Sequence, residues 1–244
     1  MPLSYLRSIL FTIPAIVLAT VAFGSASLAC SLFDTTGRTQ HRVARAWSRL
    51  LLWVSGVKVR VTGVGNVRPE SSYVFASNHL SYMDTPLVLA FIPSQFRFLA
   101  KKSLFRIPFL GHHLHRAGHI PVPREDARAS VRVMTEAARI LRERNVSILA
   151  FPEGGRSDGS LREFKEGAAY IAIKAGVPLV PLAVSGTREI LPVGSLHIRG
   201  GLVRLSVGEP IPTAGLGLRD RERLTAETRR RVAALLEDAA RNAP

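Results

Sequence analysis

The tightest constraint on this chain is the stretch from residue 8 to residue 33, 26 residues with no formal charge between Arg7 and Asp34. As a helix it would reach about 39 Å, against a hydrocarbon core of about 30 Å, so a membrane segment is expected. A removable signal sequence would also be apolar, and Ala26 to Ala29 are small. However, Arg7 is the lone basic residue ahead of the stretch, which outlasts a usual signal core. Arg38, Arg42, Arg45 and Arg49 follow it, and the positive-inside rule then places the body of the chain on the cytoplasmic side of the membrane. Cys30 is the one cysteine, which excludes an internal disulfide and suits a reducing compartment. A lipoprotein signal is disfavoured because Ser27 stands where leucine is usual.

Gln40 to Val54 reads as an amphipathic helix, with Arg42, Arg45 and Arg49 on one side and Val43, Trp47, Leu50, Leu51 and Val54 on the other. Its apolar side could lie in the headgroup layer or pack on a folded domain. Residues 1–56 are therefore expected to form a membrane-anchoring helical segment, ahead of a domain over residues 57–244.

That domain alternates strand and helix patterns. Val57 to Thr62 reads as an edge strand and Tyr73 to Ala76 as a buried one; Phe96 to Ala100, His119 to Val122, Ser147 to Phe151, Pro178 to Val184 and Leu202 to Val207 are further strands. Asp126 to Arg144, Phe164 to Ala175 and Arg219 to Arg241 carry helical stripes. The expected class is α/β, a largely parallel central sheet flanked by helices, with the N-terminal segment directed to a membrane.

The net charge is +15, and residues 58–124 carry +7 of it. No zinc-finger spacing or RNA-binding aromatic signature accompanies this charge, so nucleic acid is not the expected partner. Anionic headgroups and phosphorylated substrates are.

Three clusters could carry chemistry. His79 and Asp84 sit where the strand ending at Ala76 hands over to the helical run beginning near Leu87. With seven His and six Asp, such a spacing is expected by chance roughly 0.17 times, so the pair alone decides little. Five residues apart on a helix do not share a face; the two meet only if His79 stays in the loop and Asp84 opens the helix. Asp84 would also serve as an N-cap. Paired, Asp84 would fix the tautomer of His79 and leave its other nitrogen as a general base toward an incoming hydroxyl.

The second cluster, Phe151 to Ser157, follows another strand. Gly154 and Gly155 let backbone amides approach an anion, Arg156 offers a forked donor for phosphate, and Ser157 adds a hydroxyl. A polar turn with Glu153 bonded to Arg156 is the plainer alternative. Residues 155–159 also match G-x-S-x-G, but Pro152 to Arg156 separate Ser157 from the strand, and His197 is the one histidine downstream, so a serine hydrolase is disfavoured. The third cluster, Lys101 to Arg124, holds His112, His113, His115 and His119 among basic residues; without acidic or thiolate company it reads as a loop meeting phosphate rather than a metal site.

In order, Asn78 to Asp84 (N-H-x-x-x-x-D), the basic segment to Gly118 and Arg124, Phe151 to Ser157 (close to F-P-E-G-T-R-S) and Val180-Pro181-Leu182 resemble the four motifs of the glycerolipid acyltransferases, the group containing the 1-acyl-glycerol-3-phosphate acyltransferases. Gly155 replaces the usual Thr, and Pro121-Val122-Pro123 precedes Arg124 where an Ile-Asp pair is common. The resemblance implies His79 as general base and Asp84 as its orienting partner. It places Glu153, Gly154, Arg156 and Ser157 on the acceptor motif, Arg124 near the phosphate, and Pro181 on the fourth motif. It implies a lysophospholipid acceptor, an acyl-CoA or acyl carrier protein donor, surrounding membrane lipids, and no metal or bound organic cofactor. Glycerol 3-phosphate or a lyso-aminolipid are alternative acceptors. A non-catalytic lipid-binding protein is the remaining class.

Overall fold

The computed structural model describes residues 3–123 and 126–242. Helices α1 (Leu3–Arg7) and α2 (Ile13–Cys30) are joined by a π-helical turn, Ser8–Thr12, into one continuous rod, Leu3–Cys30, of 28 residues. Its polarity is inverted. Ser8, Thr12 and Ser27 are its buried residues, while Leu10, Phe11, Val17, Leu18 and Val21 face outward. Ser8 Oγ donates to Leu196 O at 2.9 Å and accepts from Ile198 N at 2.8 Å, and Ser27 Oγ lies 3.0 Å from His113 Nδ1. An apolar outer surface on a polar-fastened rod fits contact with a membrane.

Helix α3 (Arg38–Val54) folds back along it. Leu51 and Leu52 enter the main core, and Trp47 Nε1 reaches Thr20 Oγ1 at 3.1 Å. The expected stripe is thus split. Val43 and Trp47 turn toward the rod, whereas Gln40, His41 and Ser48 are buried against the domain. Arg45 is not on a solvent face: Nε donates to Leu89 O at 3.2 Å and its guanidinium also reaches Ile92 O. These carbonyls end a helix, and a cation there satisfies groups that no backbone N–H can reach.

The remaining elements are β1 (Val57–Thr62), β2 (Val74–Ser77), α4 (Asp84–Phe91), β3 (Phe96–Lys101), α5 (Leu110–Arg116), β4 (Ile120–Val122), α6 (Ala127–Arg144), β5 (Ser147–Ala150), α7 (Gly167–Ala175), β6 (Leu179–Ser185), α8 (Thr187–Ile190), β7 (Gly201–Val207) and α9 (Arg221–Arg241). The strands form one seven-stranded sheet in the order β1-β7-β6-β2-β5-β3-β4, parallel except for β6 against β7. One sheet face meets α3 and α4 through Phe75, Leu87, Phe96 and Leu149; the other meets α6 and α7 through Ile148, Leu141 and Ile171. Burial on both faces accounts for the unbroken apolar runs of β2, β5 and β6, while β1 sits at the edge and alternates.

Three expectations shift. The basic segment after β3 is not a plain loop: it holds a 3₁₀ turn, Lys102–Arg106, and α5. Helix α7 starts at Gly167 rather than Phe164, because Lys165 N donates to Pro152 O at 2.9 Å and holds that stretch extended. Helix α9 starts at Arg221, behind a 3₁₀ turn at Leu218–Asp220.

Candidate active site

The carboxyl ends of central parallel strands are where an α/β fold leaves an open crevice, and β2 and β5 end side by side here. Asn78 extends β2 by a side chain acting as a peptide: Nδ2 donates to Val184 O at 2.9 Å and Oδ1 accepts from Val184 N at 2.8 Å. This ties the loop to β6 just before His79.

His79 Nδ1 lies 2.7 Å from Asp84 Oδ2. The same oxygen accepts from Leu80 N at 2.6 Å and Ser81 N at 2.9 Å, and Oδ1 accepts from Thr187 Oγ1 at 2.5 Å. Asp84 is fully buried. Three of these four partners donate, and toward an Asp84 carboxylate, which only accepts, the fourth contact requires the tautomer of His79 with its proton on Nδ1. Nε2 is left with the lone pair. The expected N-cap is corrected: Met83 holds the cap position of α4, and the Asp84 carboxylate turns back onto the preceding loop instead of onto the helix amides.

Both polar groups of the His79 backbone are held by the second cluster. His79 N donates to Glu153 Oε1 at 2.7 Å, and Ser157 N donates to His79 O at 2.8 Å. The other Glu153 oxygen accepts from Arg162 N at 3.1 Å. Burial pushes the Glu153 carboxyl above its ordinary value, with the two N–H donors opposing. Glu153 thus braces the His79 backbone, and the alternative turn bonded to Arg156 does not form. The Arg156 guanidinium lies 3.6 Å from the centroid of the Tyr82 ring, and its Nε is buried without a partner. Gly154 adopts φ +73°, a backbone conformation that favours glycine, while an added Cβ would only press on the mobile end of Lys165, 3.1 Å from its Cε. Ser157 Oγ is buried with no hydrogen-bond partner, so no base activates it.

Under His79 a ring stack leads away from the site. Phe151 lies parallel to the imidazole at 4.0 Å, and Phe98 stacks on Phe151 at 6.3 Å. Phe98 and Thr85, the neighbour of Asp84, both line an apolar cavity of about 290 Å³ between the rod, α3 and the domain, walled also by Phe23, Ala44, Trp47 and Phe109. Burial holds His113 and His119, at its rim, below the ordinary histidine value. His119 Nδ1 accepts from Phe98 N at 3.0 Å within the domain, and His113 meets Ser27, so His113 docks the rod.

Pro181 is not at the crevice. It lies within β6, beside Ala76, one residue before the β7 ladder begins; its carbonyl accepts from Gly208 N at 2.9 Å, so its missing N–H falls where that ladder has ended. Arg124 lies outside the described residues. Tyr82 and Phe151 fall inside the two motifs without a role assigned from the sequence, and Thr187, two residues beyond β6, lies outside every motif.

Residues 58–185 match the family described as Acyltransferase. The chain is 34% identical over 184 residues to the chloroplastic 1-acyl-sn-glycerol-3-phosphate acyltransferase LPAT1 of Arabidopsis thaliana, covering 74% of this chain and 51% of that protein. It is 32% identical over 201 residues to the 1-acyl-sn-glycerol-3-phosphate acyltransferase of Borreliella burgdorferi, covering 82% and 80%. The chain spans about half the length of the chloroplast relatives it matches. Its fold superposes on the crystal structure of the 1-acyl-sn-glycerophosphate acyltransferase PlsC from Thermotoga maritima with TM-score 0.82 at 26% identity, over 99% of this chain and 100% of that one.

Proposed function

Because the chain belongs to the acyltransferase family, we propose that it moves a fatty acyl group from an acyl thioester to the free hydroxyl of 1-acyl-glycerol 3-phosphate, giving phosphatidic acid. The observation that carries this reading is the buried pairing of His79 Nδ1 with Asp84, which leaves Nε2 as a base in a site with no activated side-chain nucleophile. The acceptor hydroxyl gives its proton to Nε2 while its oxygen bonds to the thioester carbon. The tetrahedral intermediate then expels the thiolate, which takes the proton back from the imidazolium. Asp84 stabilises that cation. No bound cofactor enters these steps.

Arg156 suits the acceptor phosphate because its buried Nε lacks an acceptor and the Tyr82 ring fixes its plane. The apolar cavity suits an acyl chain, being linked to His79 through Phe151 and Phe98. The outward apolar surface of the rod would bring the crevice to a membrane that holds the acceptor, on the cytoplasmic side by the arginines that follow it.

An acceptor screen tests the reading. Purified protein is given one radiolabelled acyl thioester with 1-acyl-glycerol 3-phosphate, glycerol 3-phosphate or lyso-aminolipids in turn. Labelled phosphatidic acid is expected from the first; label released only as free fatty acid would overturn the proposal.

A further inference from the structure

A second cavity, of about 270 Å³, lies on the sheet face turned away from the rod and has no part in the reaction as drawn. Its floor is the carboxyl ends of β3, β4 and β5, at Leu99, Val122 and Ala150, and its roof is α6, at Val131 and Met134, with α7 beside it. Successive side chains of a strand point to opposite faces, so Leu99 enters this cavity while Phe98 enters the one beside the rod. The wall shared with the active-site loop is Phe151, Pro152 and Gly154, and Phe151 is the ring on which His79 stacks. Hollows therefore stand on both faces of the sheet beside the base, one reached through Phe98 and one walled by Phe151 itself.

The charges at its rim are unequal. Arg221 and Glu166 bond each other, whereas Lys165, among the described residues, makes no ion pair and no side-chain hydrogen bond. Its backbone is fixed, since Lys165 N donates to Pro152 O at 2.9 Å, and its Nζ stands 3.2 Å from the place of a Cβ on Gly154. Small residues keep the trough open: a Cβ on Gly167 would meet Met134 Sδ at 3.3 Å. Loose packing of α6 on the sheet would explain a hollow. It does not explain an unpaired ammonium laid along the Gly154 turn, which gives the trough one apolar end and one cationic end. A fatty chain that ends in an anionic head matches both.

Two fatty chains meet in the reaction, the one transferred and the one the acceptor already carries, and they need separate places. The cavity beside the rod has no lysine or arginine in its lining, which suits the chain of an uncharged thioester. The trough has Lys165 at its loop end, which suits the chain of a molecule that bears a phosphate. We propose that the trough receives the fatty chain already on the acceptor and that Lys165 meets the acceptor's phosphate; this rests on the acyltransfer reading for which molecule is bound. Donor and acceptor chains would then approach His79 from opposite faces of the sheet, and the length of each would be selected independently.

The test uses the full chain in detergent. A 1-acyl-glycerol 3-phosphate with a diazirine at the end of its chain is photolysed with the protein, no thioester being present, and the labelled peptides are identified by mass spectrometry. Label on α6 and α7, reduced in Val131→Trp, is the expected result. In steady-state assays Val131→Trp should lower kcat/KM for a palmitoyl relative to an octanoyl acceptor at least about tenfold, with the preference among donor chain lengths unmoved. Val131 is 53% exposed, so its replacement spares the core, and Val131→Leu should give a smaller shift in the same direction. Lys165→Gln should raise the acceptor KM about three- to fivefold with kcat little changed, and Lys165→Arg should restore it. Label confined to the rod and α3, an acceptor profile indifferent to Val131→Trp, a donor profile that shifts in its place, or an acceptor KM unmoved by Lys165→Gln would each overturn the proposal. Absence of transfer from any acyl thioester would defeat the acyltransfer reading, and the photolabel then decides the trough alone.

Discussion

Thr187 Oγ1 donates to Asp84 Oδ1 at 2.5 Å, across 103 residues of sequence and from the start of α8 just beyond β6. A hydrogen bond to a charged acceptor contributes about 1.5–3 kcal/mol, so Thr187→Val is expected to lower kcat about 10- to 100-fold by letting the Asp84 carboxylate turn. Thr187→Ser keeps the hydroxyl and should recover most of the rate. Equal losses in the two variants, measured in steady-state assays, would argue that the methyl packing matters and the hydrogen bond does not.

Asp84→Asn separates charge from shape. The amide can still accept from Leu80 N and Ser81 N, so unfolding in urea should move by no more than about 2 kcal/mol. It cannot stabilise an imidazolium as a carboxylate does, and kcat should fall by roughly 10³ or more. A collapse in stability with activity to match would make Asp84 a purely structural clamp.

Ala44 lines the apolar cavity from α3. Ala44→Phe should fill part of its volume and shift preference toward shorter acyl thioesters by at least about tenfold in kcat/KM, at about 1 kcal/mol or more per excluded methylene pair. A chain-length profile unchanged by the substitution places the acyl chain elsewhere.

Gly155 is free of the restraints on Gly154: its φ is not positive, and an added Cβ would meet nothing nearer than Arg162 Nη1 at 4.0 Å. Gly155→Thr, the residue usual in the motif it resembles, should therefore fit and raise the unfolding free energy by about 0.5–1 kcal/mol through the unfolded chain. Thermal and urea unfolding of the variant would check this.

His41 is held down to about 3, by burial first and then by Arg97 and Arg45, with its ring edge-on to Phe96 at 4.8 Å. Its folded value lies below the unfolded one, so below about pH 6.5 the unfolded chain binds the extra proton. Stability should fall as pH drops from about 6.5 toward 3, by about 1.4 kcal/mol per pH unit for this residue. His41→Phe should flatten that slope in urea midpoints measured from pH 7 to 4; an unchanged slope would assign it to other groups such as His113 and His119.

The strands were legible because burial on both faces writes unbroken apolar runs, and His79 with Asp84 because their spacing works only across a strand-to-helix turn. What stayed hidden is of another kind. Helix α3 buries Gln40, His41 and Ser48 against the domain, and an apolar stripe cannot announce a polar interface. Glu153 looked like a ligand residue because a carboxylate beside two glycines and an arginine suggests one, yet both its oxygens are spent on backbone N–H groups. Thr187 was invisible since a single hydroxyl after a strand has no period and no spacing to its partner. Asp84 was half read: its place at the start of α4 was right, and the direction of its carboxylate was not.

Arg97 sits between the hairpin turn of the two long helices and the body of the protein, donating to Thr36 O at 2.8 Å and to Phe96 O at 3.0 Å. Gly37 and Gly118 leave it that space; a Cβ at Gly37 would stand 2.9 Å from its Nη2 and 2.7 Å from Ala117 O. A version trimmed of its first 37 residues to gain solubility would therefore strip the cover from a guanidinium as well as from an apolar wall. Attempts to crystallise or evolve this protein without its hairpin would begin from a damaged fold, and chimaeras should exchange the hairpin only together with β3 and the turn at Gly118.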